Sequence, residues 1–212
     1  MGKSIWVGLA MVILAAGAGA GEVGIVTALS GSVNLQDSIE PSREIKSFIK
    51  LRESDRLTLA ENTRMQIVFF QNGQQETWQG AGVLEVGGSS SKLLKGSPQL
   101  ELKTLPAILV KQLTKTPSPE RVKAGMIRVR SMHAEGAIDA LQNTYADLRQ
   151  QAALNDRSPE LYLLASYFEL REFDKITDML SQLTKANPQD DEITKLVALY
   201  SQAIAAVKSP PQ

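Results

Sequence analysis

The chain has no cysteine and a single histidine, His133, among its 212 residues. Without a thiol there can be no disulfide, no thiolate metal site, no cysteine nucleophile and no lipid-bearing N-terminal cysteine. An excess of either charge is also missing, since 23 basic residues balance 23 acidic ones. A near-neutral chain has no counterion-release drive toward nucleic acid and little attraction to anionic lipid. Long apolar runs are scarce. The strongest, Ile5 to Ala16, spans about 12 residues against the roughly 20 needed to cross a bilayer.

That run nevertheless sits where a targeting signal would. Lys3 precedes it, small residues Gly17 to Ala20 follow it, and no acidic residue occurs before Glu22. Ala18-Gly19-Ala20 satisfies the small-x-small rule of signal peptidase, so residues 1–20 read as a cleavable signal cut between Ala20 and Gly21. The expectation is an exported chain with no membrane span after processing, periplasmic if the source is Gram-negative.

Glycine divides the remainder. Nine glycines lie between Gly21 and Gly96, and none follows Gly136. Glycine eases tight turns and weakens helix interiors, so strands are expected first and helices second. Val33 and Leu35, Leu57 and Leu59, Met65, Ile67 and Phe69, and Leu84 and Val86 alternate as strand residues do, as do Val23 and Ile25. Gly31-Ser32, Asn62, Gly80 and Gly87-Gly88 punctuate them. Asn72-Gly73, between Met65–Phe70 and Gln75–Trp78, is the strongest hairpin signal. Residues 21–103 are therefore predicted to form an antiparallel β sandwich or barrel-like domain.

Residues 104–208 change to helical spacing, giving an α+β chain overall. Thr104-Leu105-Pro106 opens a helix with a Leu105, Ile108, Leu109 stripe, and Thr116-Pro117-Ser118-Pro119 ends it. Ile138, Leu141, Tyr145, Leu148 and Ala152 mark a further helix. Ser158-Pro159-Glu160 opens one carrying Leu161, Leu164, Ala165 and Phe168. Phe173, Ile176, Leu180 and Leu183 mark the next, closed by Asn187-Pro188. Asp190 is the predicted cap of the last, whose early acidic residues suit the helix dipole without any metal. Met126 to Arg130 is read as helix, and residues 209–212 as a disordered tail.

Three stretches of the first half resemble the FecR-type periplasmic domain. They are Val26 to Leu35 with Gly31-Ser32-Val33, Arg52 to Leu59 with Ser54-Asp55 where that family has a Gly-Asp turn, and Met65 to Val86 with Asn72-Gly73, Trp78 and the Gly80–Val86 return. The resemblance implies a recognition domain with no catalytic residue. Transcription-regulating members also carry a cytoplasmic sigma-factor-binding segment before a membrane span. A chain beginning on a signal peptide is expected to lack that activity. Residues 157–190 resemble one tetratricopeptide repeat, through Tyr167, Phe173, Ile176, Leu180, Leu183 and Pro188. A lone repeat cannot bury its own face, so flanking helices are expected to complete its core.

Candidate chemistry is sparse. No Gly-x-Ser-x-Gly elbow accompanies His133, and His133-Ala134-Glu135 matches the His-x-Glu of zinc deaminases without their cysteine ligands. No phosphate-binding loop and no Asp-x-Asp-x-Asp-Gly cation loop occurs, and Gly80-x-Gly82 lacks the rest of a dinucleotide fingerprint. Glu53 with Asp55 reads as an exposed turn, and Gly87 to Ser91 as a flexible hairpin loop. No catalytic residue, metal or cofactor is expected. Candidate contacts are Trp78 with Gln75 and Gln79, and Arg128 with Arg130. Trp78 reads first as core, with sugar stacking or partner anchoring as the alternative. The arginines, with Arg121 and Lys123, read as a solvated face or a contact for an acidic partner. The leading expectation is a non-enzymatic periplasmic adaptor that binds an envelope protein through both regions. A carbohydrate- or peptidoglycan-binding module built around Trp78 is the alternative, and a hydrolase using His133 a remoter one.

Overall fold

The structure, a computed structural model, describes residues 21–36, 41–118, 136–153 and 156–208. The signal segment, Arg128, Arg130, His133, the helix expected at Met126 to Arg130 and the terminal tail lie outside the described residues. The protein is α+β, with an antiparallel two-sheet β region followed by a helical one. The strands are β1 (Glu22–Ser30), β2 (Val33–Gln36), β3 (Arg43–Glu44), β4 (Lys50–Arg52), β5 (Arg56–Leu59), β6 (Arg64–Phe69), β7 (Gln74–Gln79), β8 (Gly82–Val86), β9 (Ser91–Gly96) and β10 (Gln99–Thr104). The helices are α1 (Ala107–Leu113), α2 (Ala137–Gln151), α3 (Ser158–Leu170), α4 (Phe173–Ala186) and α5 (Asp191–Lys208).

One sheet has the order β10-β7-β6-β1-β4 and the other β3-β2-β5-β8-β9. Alternation along the strands supplies the layer between them. Met65, Ile67 and Phe69 of β6, with Trp78 of β7, meet Leu57 and Leu59 of β5 and Leu84 and Val86 of β8. Each such side chain fully removed from water contributes about 1.5–3 kcal/mol before ordering costs. The expected β6–β7 hairpin is present, with Met65 opposite Trp78 and Val68 opposite Gln75. Gly73 has φ 69° in its turn, and a Cβ there would lie 3.0 Å from Leu105 O and 3.1 Å from Val110 Cγ2. Glycine therefore serves both the turn and the close approach of α1.

Alternation misleads at β1. Ile25 and Val26, consecutive and so on opposite faces, are both fully buried because the facing sheet covers one side and the helices the other. Val26 joins the sandwich interior, while Ile25, with Phe48 and Val68, belongs to a second core that continues through Leu109 and Leu113 to Leu161 and Tyr200. The first sheet thus has its outer face under the helices. Polar contacts add ties: Lys50 Nζ donates to Thr114 O at 2.7 Å, and Lys103 Nζ lies 3.7 Å from Asp156.

In the helical region α3 packs against α1, α2 and α4. Every residue from Ser158 to Phe168 is buried, which extends the expected single stripe to the whole circumference. Such a helix is a core element rather than an amphipathic cover. Asp156, rather than Ser158, supplies the side-chain acceptor at its start, taking a hydrogen bond from Ser158 N at 2.9 Å. The α1 stripe also needs correction. Leu105 and Leu109 are buried, but Ile108 is 52% exposed, and Val110 and Leu113 take the inward places. Asp190 caps α5 as expected, Oδ1 accepting from Glu192 N at 2.8 Å and Ile193 N at 3.3 Å.

Candidate functional site

A groove of about 540 Å³ runs between α2, α3 and α4. Helical spacing builds each wall. Gln142 and Tyr145 are three apart on α2, Leu163 and Tyr167 four apart on α3, and Lys175, Asp178, Met179, Gln182 and Leu183 share one side of α4. Leu163 and Tyr167 are buried and form the floor, Tyr145, Met179 and Leu183 are half-buried, and Gln142, Asp178 and Gln182 are exposed along the rim. The rim carries one cation, Lys175, and one anion, Asp178.

Hydrogen bonds hold the aromatic walls. Gln142 Nε2 donates to Tyr167 Oη at 2.9 Å, and Tyr145 Oη donates to Glu160 Oε1 at 3.4 Å. Glu160 is buried and accepts from Arg149 at 3.1 Å on each oxygen. Burial first, and the Glu160 charge second, push the Tyr145 phenol up to about 12, with Arg149 opposing. Tyr145 therefore keeps its proton across the physiological range. An apolar and aromatic trough with amides along its edge suits an extended polypeptide, whose side chains take the floor and whose backbone meets the rim.

A second cleft, of about 490 Å³, separates the Ser30 end of β1 from the start of α5. Its charges are largely matched within the fold. Arg157 pairs with Asp190, and Lys195 with Glu192 at 2.8 Å. Lys195 Nζ also reaches Leu29 O at 3.5 Å.

Among the described residues, those singled out from sequence do not share a surface. Trp78 is only 3% exposed inside the sandwich, where its indole donates to Glu76 Oε2 at 2.8 Å. The other Glu76 oxygen accepts from Gln74 Nε2 and Ser91 N, each at 3.0 Å. A sugar cannot stack on that ring without opening the sheets. Gln75 is buried on the opposite, helix-facing side of β7, and Gln79 is exposed at its end. Asp55 is buried and accepts from Arg52 N at 2.8 Å while Glu53 is exposed, so the two carboxyls do not converge. Gly87 to Ser90 forms a short hairpin closed by Gly87 N donating to Ser90 O at 2.9 Å, rather than a long loop. Gly21 begins the described chain and is exposed.

Sequence reasoning placed Tyr145, Tyr167 and Leu183 on helical stripes but gave them only core roles. Side chains facing a groove have the same spacing and hydropathy as those facing a core. Among the described residues no group of three or more His, Cys, Asp or Glu gathers to hold a metal ion, and no helix is long and apolar enough to cross a membrane. Compared with known proteins, the chain matches no family profile, no curated protein and no solved structure.

Proposed function

We propose that this chain is an exported, non-enzymatic adaptor of the cell envelope that holds a protein partner in the groove between α2, α3 and α4. The observation that carries this reading is the groove's build, with Leu163 and Tyr167 as floor, Tyr145, Met179 and Leu183 along the walls, and a rim of amides with one cation and one anion. The N-terminal signal pattern supports export, and the FecR-type and tetratricopeptide-like patterns support recognition over turnover. The near-balanced rim favours an apolar or amide-rich segment over a strongly charged one.

In-cell crosslinking followed by purification from the envelope fraction tests the reading. The wild-type chain is expected to retain a discrete protein partner, with Gly21 as its first residue. Met179→Lys places a charge inside the groove at a half-buried position, and recovery should fall about tenfold, as for loss of an interface anchor. Equal recovery by the two chains, or no partner for either, would overturn the assignment.

A further inference from the structure

The two sheets end, on the same side of the sandwich, in the consecutive strands β9 and β10. Leu100 is opposite Trp78 and Leu102 opposite Glu76, so both leucines lie on the face that elsewhere fills the interior. They are nonetheless 44% and 58% exposed. Leu93 and Leu94 of β9 are exposed as well. These four account for most of the large apolar side chains left in solvent among the described residues, Ile108 being the other.

The two edges differ in their capacity to pair further. A register shift in the β8–β9 pairing leaves Leu94 of β9 without a cross-strand counterpart in β8, and such a bulge blunts an edge. All six residues of β10 pair with β7 in uninterrupted register. Its outer edge has no backbone partner among the described residues. A regular, apolar-backed edge of this kind is a template for another strand.

The sequence of β10 says which strand. Glu101 and Lys103 share the helix-facing side, opposite Thr77 and Gln75. An antiparallel copy of the same strand centred on Leu102 sets Leu102 against Leu102, each Glu101 against the other chain's Lys103, and each Leu100 against Thr104. Directly opposed residues share a face, so the leucines meet on one side and two ion pairs form on the other. Centring on Glu101 or Lys103 instead would oppose like charges. Lys103 is half-exposed beside Asp156, and its open side can receive the second carboxylate.

We propose that the β10 edge is a self-association site, at which two copies of this chain join their sheets antiparallel about a two-fold axis through Leu102. The site is separate from the helical groove, so each copy keeps that groove available.

Sedimentation equilibrium of the purified chain should show a reversible dimer. Glu101→Lys and Lys103→Glu each place like charges across the axis twice, and each is expected to weaken the dimer by about tenfold. An equimolar mixture of the two variants restores opposite charges at every pair and should dimerise as tightly as wild type. The chain has no native thiol, which permits a direct register test. Opposed antiparallel residues lie about 4.5–5.5 Å apart at Cα, within disulfide reach, so Leu102→Cys should form a covalent dimer on mild oxidation. Leu100→Cys, four positions out of register with its copy, should not. A monomeric wild type, single variants that dimerise normally, a mixture that fails to recover, or equal crosslinking at both positions would each overturn the proposal.

Discussion

Ser54 adopts φ 72°, a left-handed conformation in which an L side chain crowds the backbone. Its neighbours fix that geometry, because Ser54 N donates to Val86 O and Val86 N to Asp55 O, both at 2.8 Å. Asp55 then completes the turn by accepting from Arg52 N. A glycine at this position would adopt the same φ without that crowding. Ser54→Gly should remove it, and the gain exceeds the entropy cost of glycine by about 0.5–1 kcal/mol. A higher urea midpoint with an unchanged slope would bear this out; an unchanged or lower midpoint would show that the turn is not strained. Trp78 gives the opposite lesson about legibility. The strand pattern reads it as core, which its burial bears out, while the exposed setting its neighbouring glutamines suggest fails because alternation sends Gln75 and Trp78 to opposite faces and Glu76 inside the sandwich satisfies the indole.

Elements with strong local signals were readable in advance. Asn72-Gly73 marked the β6–β7 hairpin, where Asn72 Oδ1 accepts from Gln74 N at 3.0 Å, and Asp190 marked the start of α5. Elements defined by what lies around them were not. Strand β10 carries an alternating Leu100-x-Leu102 pattern, but exposure on its inward face follows from the open end of the sandwich, which no local pattern records. The helix α3 hid its circumference for the same reason.

The α5 cap also carries a pH dependence. Burial raises the Asp190 pKa, but the hydrogen bond from Arg157, those from the Ile193 and Glu192 amides and the guanidinium charge outweigh it, leaving the carboxyl below its ordinary 3.8. A lowered folded-state value means that stability is present above the ordinary carboxylate range and is lost as pH falls through the lowered one. Asp190→Asn retains a capping side chain and removes the charge. It should cost about 1 kcal/mol near neutrality and progressively less at acid pH, as the lowered carboxyl takes up its proton. Urea titrations of both chains at neutral and acid pH check this, and a deficit independent of pH would assign the loss to packing instead.

Across the whole molecule, Phe48 joins the β and α regions. It has φ 70°, donates its backbone N–H to Val26 O at 2.7 Å, and lies in the core shared with the helices. Phe48→Ala should destabilise the protein by about 3–5 kcal/mol, the usual cost of removing a buried aromatic ring. Because the first sheet and the helices share that core, circular dichroism and tryptophan fluorescence should still report one coincident melting transition at a lower temperature. Two separated transitions would show that the halves are energetically independent. The change from glycine-punctuated to glycine-poor sequence revealed two regions, but the polar-looking back of the first sheet did not announce that the second would lie on it. Thr27, Gln66, Gln75 and Thr77 are all buried there.

That doubly covered sheet constrains how the protein comes into being. Ribosomes deliver Ile25 and Val68 long before Leu161 or Tyr200, so a half-made chain has strands to pair but nothing to cover these two apolar side chains or the polar ones around them. Birth order and burial order are mismatched: the outer face of the first sheet stays uncovered until the helices that close over it have been made.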